Sequence, residues 1–97
     1  MPYVHISHSP GQTLDDYRAV ADAVGGHTPE GLLFSVQGEE TGGLHIVDVW
    51  KSKAHADRFA AEELLPAFSR TGRGPDGAAT YVTFDTDSFL VAEDLRT

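Results

Sequence analysis

The chain contains no cysteine. Disulfides, thiolate nucleophiles and cysteine-type zinc sites are therefore excluded. Positive charge is scarce as well: 7 Lys and Arg stand against 15 Asp and Glu, a formal net charge of -8. Phosphate backbones and anionic membrane surfaces are bound by basic faces, so neither nucleic acid nor a membrane is an expected partner. No apolar run reaches the roughly 18 residues that a transmembrane helix needs. The opening residues, "MPYVHISHSP", lack the basic-then-apolar pattern of a signal peptide. With no address in the sequence, the expected compartment is the cytoplasm. A chain of 97 residues is expected to form one domain, 1–97. A domain of that size buries a modest core, which makes association with a second copy a live expectation.

The residues that are present fall into six segments. "YVHIS" (Tyr3 to Ser7) alternates and is rich in β-formers, so it reads as a strand ended by "SPGQ". Thr13 can cap a helix, with Asp15 and Asp16 at the positive end of its dipole. Leu14, Tyr17, Val20 or Ala21, and Val24 recur at helical spacing, and Gly25 and Gly26 stop the run. "LLFSVQG" (Leu32 to Gly38) and "LHIVDVW" (Leu44 to Trp50) read as strands. The short polar "EETGG" joins them as a hairpin. Ser52 caps a second helix with Ala56, Phe59, Ala60, Leu64 and Phe68 as its apolar stripe, and Pro66 should kink or shorten it. After the loop "TGRGPDGAA", "TYVTFDTDSF" (Thr80 to Phe89) alternates as a fourth strand, and the tail "LVAEDLRT" is a candidate for docking on a partner. The order βαββαβ predicts an α+β, ferredoxin-like fold: a four-stranded antiparallel sheet with two helices on one face.

Side chains alternate across a strand, so each strand sorts into two faces. The more apolar sets are Val4 and Ile6; Leu32, Phe34 and Val36; Val47 and Val49; Val82 and Phe84. These are expected under the helices. The opposite sets are Tyr3, His5 and Ser7; Leu33, Ser35 and Gln37; Leu44, Ile46, Asp48 and Trp50; Tyr81, Thr83 and Asp85. This second face mixes aromatic and aliphatic mass with imidazole, hydroxyl, amide and carboxylate groups, the mixture typical of a ligand pocket. Asp48 would be costly to bury unpaired. It can act as a general base, orient His5 on the neighbouring strand, or pair with an arginine such as Arg70 across a dimer. His5 and Asp48 are the candidate catalytic pair, with His5 as base and Asp48 as its orienter, suited to abstracting a phenolic or α-carbonyl proton. Trp50 can stack on a flat ligand or simply fill a dimer core. Ser35, Tyr81 and Tyr17 offer hydroxyls, and Ile46 supplies apolar wall.

His8, His27, His45 and His55 show no metal-motif spacing, and no metal site is expected from them. "TGRGPDG" follows a helix and precedes a strand, the reverse of a phosphate cradle, so it reads as a plain flexible loop.

The stretch "GLLFSVQG…GGLHIVDVWKSKAHADRFAAEELLPAF" resembles the dimeric α/β-barrel superfamily. Within it the chain is similar to the antibiotic biosynthesis monooxygenase-like (ABM-like) proteins. The shared pattern is a glycine-started strand, a hairpin, a strand ending "VW-S", a helix containing "RF", and "L-PAF". The resemblance implies a homodimer whose uncovered sheet faces pack together, with one pocket per subunit and a small hydrophobic aromatic ligand. It also implies cofactor-independent oxygenation, or cyclisation or isomerisation, of a flat phenolic or polyketide-like substrate. A tryptophan of the oxygenase branch carries over onto Trp50. Its companion asparagine would fall on Ile46, which cannot hydrogen-bond a carbonyl. The haem-degrading branch has a ligand histidine some turns into the second helix, where this chain has Ala60, with His55 in the first turn instead. No cofactor is expected. The start "PYVHI" also resembles the tautomerases, which use an N-terminal proline, but that match ends with the first strand. The alternative within the same fold is a non-catalytic ligand-binding or structural dimer.

Overall fold

A computed structural model describes residues 1–75, 77–88 and 90. Strand β1 spans Tyr3–Ser9, helix α1 Leu14–Val24, β2 Leu32–Glu40 and β3 Gly43–Trp50. A long helical segment follows: α2 at Lys53–Phe59, a π-helical turn at Ala60–Leu64, and α3 at Leu65–Thr71. Strand β4 spans Thr80–Asp85. The sheet order is β2-β3-β1-β4, and each neighbouring pair is antiparallel. This is the expected ferredoxin-like α+β layout. Among the described residues, no helix is long and apolar enough to cross a membrane.

Local chemistry sets the helix ends. Thr13 and Asp16 form a reciprocal capping box: the Asp16 N–H donates to Thr13 Oγ1 and the Thr13 N–H to Asp16 Oδ2. Gly25 closes α1 in the left-handed region, at φ 117°. The Ser52 hydroxyl accepts the His55 N–H at the start of α2. Pro66 does not break the second helix. It sits in the first turn of α3, and Leu65 N–H reaches back to the Ala60 carbonyl. The wider π turn supplies backbone slack just before the proline, where an α-helical bond is lost and the ring crowds the preceding turn.

Strand β4 ends at Asp85 rather than continuing to Phe89. The Thr86 N–H turns to the Pro2 carbonyl and its hydroxyl to the Ser88 carbonyl. Phe89 and the tail, residues 91–97, lie outside the described residues, and so does any docking by them.

Register places two apolar rows across all four strands. Val36, Val47, Ile6 and Val82 form one; Phe34, Val49, Val4 and Phe84 form the next. These rows are not under the helices, which corrects the face assignment made from the sequence. Phe34, Val36, Val82 and Phe84 are 40, 45, 58 and 48% exposed. The helices cover the mixed face instead, with Trp50 only 4% exposed beneath them. Apolarity favours whichever face loses more water, and it does not say what removes the water. The helical layer stands off the sheet, and the wall of the resulting space carries the polar groups.

A bulge between Leu32 and Phe34 makes a second correction. Leu32 pairs with Trp50 and Phe34 with Val49, leaving Leu33 as the extra residue. Leu32 therefore lies on the helix-covered mixed face with Trp50, away from Phe34 and Val36, and Leu33, expected beside Ser35 on the mixed face, does not follow the alternation. The hairpin between β2 and β3 requires glycine at Gly43. Its φ is 125°, and a Cβ would stand 2.5 Å from the Ser9 carbonyl oxygen.

Candidate functional site

The antiparallel register sets Ser35 opposite Asp48 and Asp48 opposite His5. The three side chains make one polar row across β2, β3 and β1, on the face under the helices. Directly opposed residues have Cβ atoms about 4.5–5.5 Å apart, close enough for neighbouring side chains in the row to interact. Flanking it in the same face are Ile46, toward the hairpin, and Trp50, toward the strand ends.

Above the row lies a cavity of about 610 Å³ between the sheet and the helices. That size suits a small organic ligand. Its walls include all seven residues singled out from the sequence: His5, Tyr17, Ser35, Ile46, Asp48, Trp50 and Tyr81. Tyr17 comes from α1 and the others from the sheet. Trp50 packs its ring on Phe59 of α2, centroids 5.4 Å apart. It therefore belongs to the sheet–helix layer and not to a core between sheets. The Tyr81 ring tilts against His5 at 5.4 Å.

The polar groups are ordered. Gln37 Nε2 donates to Ser35 Oγ at 2.5 Å, and the Ser35 hydroxyl donates to Asp48 Oδ1 at 2.5 Å. Asp48 is thus oriented by Ser35. Burial pushes the Asp48 carboxyl above its ordinary range, while the Ser35 hydrogen bond and the facing His5 pull it back down. Burial likewise raises the Tyr17 phenol, the Asp48 charge raises it further, and Ser35 opposes both. A carboxylate with elevated basicity on an apolar cavity wall is suited to taking a proton from a weak carbon or oxygen acid.

Arg70 donates to the Ala23 carbonyl at 2.6 Å, joining α3 to α1. That contact gives this side chain a use within its own chain. His55 lies against Gly31, where a Cβ would come within 2.3 Å of its ring, and Ser52 holds its Nδ1 at 2.7 Å. His55 is a structural part of the helix start. His27 pairs with Glu63 at 2.8 Å.

The sequence reading missed three contributors. Gln37 shares the parity of Ser35, a signal that was available, but its role depends on the hydroxyl beside it. Phe59, expected in the helix's apolar stripe, backs the tryptophan. Arg73, in the loop read as plain, lines the cavity and pairs with Asp16 at 3.1 Å, while Gln12 donates to the Arg73 carbonyl. No local pattern announces a contact between residues so far apart in the chain.

No family model matches the sequence, and no curated protein matches it. Solved structures do match its fold. Rv0793 from Mycobacterium tuberculosis aligns with a TM-score of 0.66 at 16% identity, over 94% of this chain and 100% of that one. An antibiotic biosynthesis monooxygenase aligns at 0.62 and 15% identity, over 91% and 100%. A mutant of SnoaB, a cofactor-independent oxygenase from Streptomyces nogalater, aligns at 0.59 and 14% identity, over 92% and 94%. The chain therefore has the ABM-like fold.

Proposed function

We propose that this ABM-like fold is a small-molecule enzyme acting on a flat, hydrophobic, phenolic or polyketide-like substrate. The observation that carries the reading is the Ser35–Asp48–His5 row on the wall of an otherwise largely apolar cavity. Asp48 takes the acidic proton of the bound substrate, and His5, facing it, stabilises the anion that results. Trp50 supplies a flat wall for the ring system, and Tyr17 and Tyr81 offer hydroxyls to its oxygens. An electron-rich anion of this kind can react directly with molecular oxygen. A methylene carbon then gains one oxygen atom as a carbonyl, and the other leaves as water with the two methylene hydrogens. Proton removal also serves cyclisation or isomerisation, and the protein's part in either is to favour the anion and exclude water.

The functional unit in this reading is a homodimer. Its support is the pair of apolar rows on the open sheet face, which would lose their water against a second copy.

The test is oxygen consumption by purified protein with anthrone- or naphthol-type substrates in the presence of a metal chelator. Uptake that persists under chelation is the expected result. Micromolar binding without turnover would replace the enzyme by a ligand-binding dimer, and absence of both would remove the reading. A further expectation concerns pH. The Ser35 hydrogen bond holds the Asp48 carboxyl down, so Ser35→Ala raises its pKa further. The acid limb of the kcat/KM profile should then move to higher pH. An unmoved limb would mean that Asp48 is not the titrating base.

A further inference from the structure

On the opposite side of the sheet from the cavity, the row next to the apolar ones is polar. His8 lies opposite His45 in the β1–β3 register, and His45 opposite Gly38 in the β2–β3 register. The two imidazoles stack with centroids 4.3 Å apart and planes 5° from parallel. Glu40, at the end of β2, folds its carboxylate against them: Oε1 lies 2.9 Å from His45 Nε2 and accepts the Gly42 N–H at 2.9 Å. His8 Nε2 lies 3.0 Å from the Gly42 carbonyl oxygen. Glycine at 42 leaves room for this carboxylate position, since a Cβ there would stand 2.5 Å from Glu40 Oε1 and push it aside. One ligand atom from each of His8, Glu40 and His45 lies within 4.8 Å of the other two.

We propose that His8, Glu40 and His45 form a binding site for a divalent transition-metal ion, with zinc as the natural probe. Two neutral imidazoles and one carboxylate are a favoured donor set for zinc. Bonds of about 2.0–2.1 Å to a tetrahedral ion set neighbouring ligand atoms about 3.3 Å apart. The side chains need to close by about 1.5 Å at most, which rotation of the exposed Glu40 and of the two rings provides. The ion takes the place of the hydrogen bond between His45 Nε2 and Glu40 Oε1. His8 Nε2 leaves the Gly42 carbonyl, and in each ring the proton passes through solvent from Nε2 to Nδ1, so both ligands bind as neutral imidazoles. Water completes the coordination. Three strands then become joined at one end of the sheet through side chains as well as backbone. The stacked pair already has its rings side by side, so little ordering is left for the ion to impose.

This site is independent of the cavity chemistry, since it lies on the other sheet face. Linear spacing concealed it, because its ligands come from three strands and meet only through register.

Zinc titration of the tag-free protein by calorimetry should give one ion per chain. Loss of an outer-shell partner weakens metal sites by about 10–100-fold. His8→Ala and His45→Ala remove ligands outright and should each weaken binding at least tenfold, with Glu40→Gln also weaker than the parent. Substoichiometric zinc should perturb the imidazole NMR signals of His8 and His45 before those of His5, His27 and His55. The unfolding midpoint should rise with zinc for the parent but not for the His8→Ala/His45→Ala double variant. Circular dichroism confirms that each variant is folded, and His45→Gln replaces any that is not. Binding of parental strength in the double variant, or first perturbation of His27 beside Glu63, would overturn the proposal. So would uptake of less than one ion per chain.

Discussion

Asp48→Asn is expected to reduce turnover by about 10²–10⁴-fold, the usual contribution of a positioned acid–base group, without lowering the thermal midpoint at pH 7. The two halves of this expectation have one cause. Burial raises the folded-state pKa of Asp48 above its ordinary value. Between the unfolded pKa, about 3.9 for an aspartate, and the raised folded one, the folded chain holds more protons than the unfolded chain. Stability therefore falls as pH rises through that window, and the penalty is fully present above it. Asparagine has no charge to desolvate, and its carbonyl still accepts the Ser35 hydroxyl proton. The variant should be at least as stable as the parent at neutral pH, with its advantage disappearing below the unfolded pKa. Steady-state rates with an anthrone-type substrate, together with thermal melts at pH 7 and pH 3, measure both. Full turnover in a folded variant would refute Asp48 as the proton acceptor. A loss of activity accompanied by a lower midpoint would assign the residue to stability instead.

Val36→Arg/Val82→Arg is expected to convert the proposed dimer to a 10.4 kDa monomer. The two valines end one apolar row that crosses β2, β3, β1 and β4, and they are 45 and 58% exposed in the protomer. Because both are already accessible, arginine can stand in water there, and the protomer should remain folded. Fully burying a valine contributes about 1.5–3 kcal/mol. Placing arginine against the same face of a second copy instead brings an unpaired charge out of water. The loss of association should therefore span several orders of magnitude. Sedimentation equilibrium at micromolar concentration distinguishes the states. A parent protein that sediments as a monomer would remove the dimer, and a double variant that still dimerises would place the interface elsewhere. The cavity lies under the protomer's own helices, so monomeric variants are expected to keep ligand binding in measurable form.

The local features of the fold were readable because each has a short-range cause. Thr13 and Ser52 announced their helices through side-chain oxygens that cap free N–H groups. Gly25 and Gly26 announced the end of α1 through the left-handed backbone. Alternation in "LHIVDVW" put Asp48 and Trp50 on one face, and the βαββαβ order put β1 beside β3, bringing His5 opposite Asp48. Other features have causes that a linear reading does not contain. The bulge at Leu33 moved Leu32 to the other face, and one extra residue is enough to defeat a period of two. Pro66 is expected to kink or shorten the second helix, and the structure divides that helix at a π turn just before the proline. Arg73 reached the cavity through a partner 57 positions away.

The sequence by itself determined the strand order, the composition of the two sheet faces apart from Leu32 and Leu33, and the row of Ser35, Asp48 and His5. All of these follow from periodicity, capping and chain order. Only the tertiary structure decided which face the helices cover. Periodicity divides a strand into two sides without ranking them, and both sides here are apolar enough to be buried. Phe59 packs on Trp50, and Tyr17 and Leu64 line the cavity between the helical layer and the mixed face. That packing, together with the register that joins His8, Glu40 and His45 across three strands, exists only once distant segments meet.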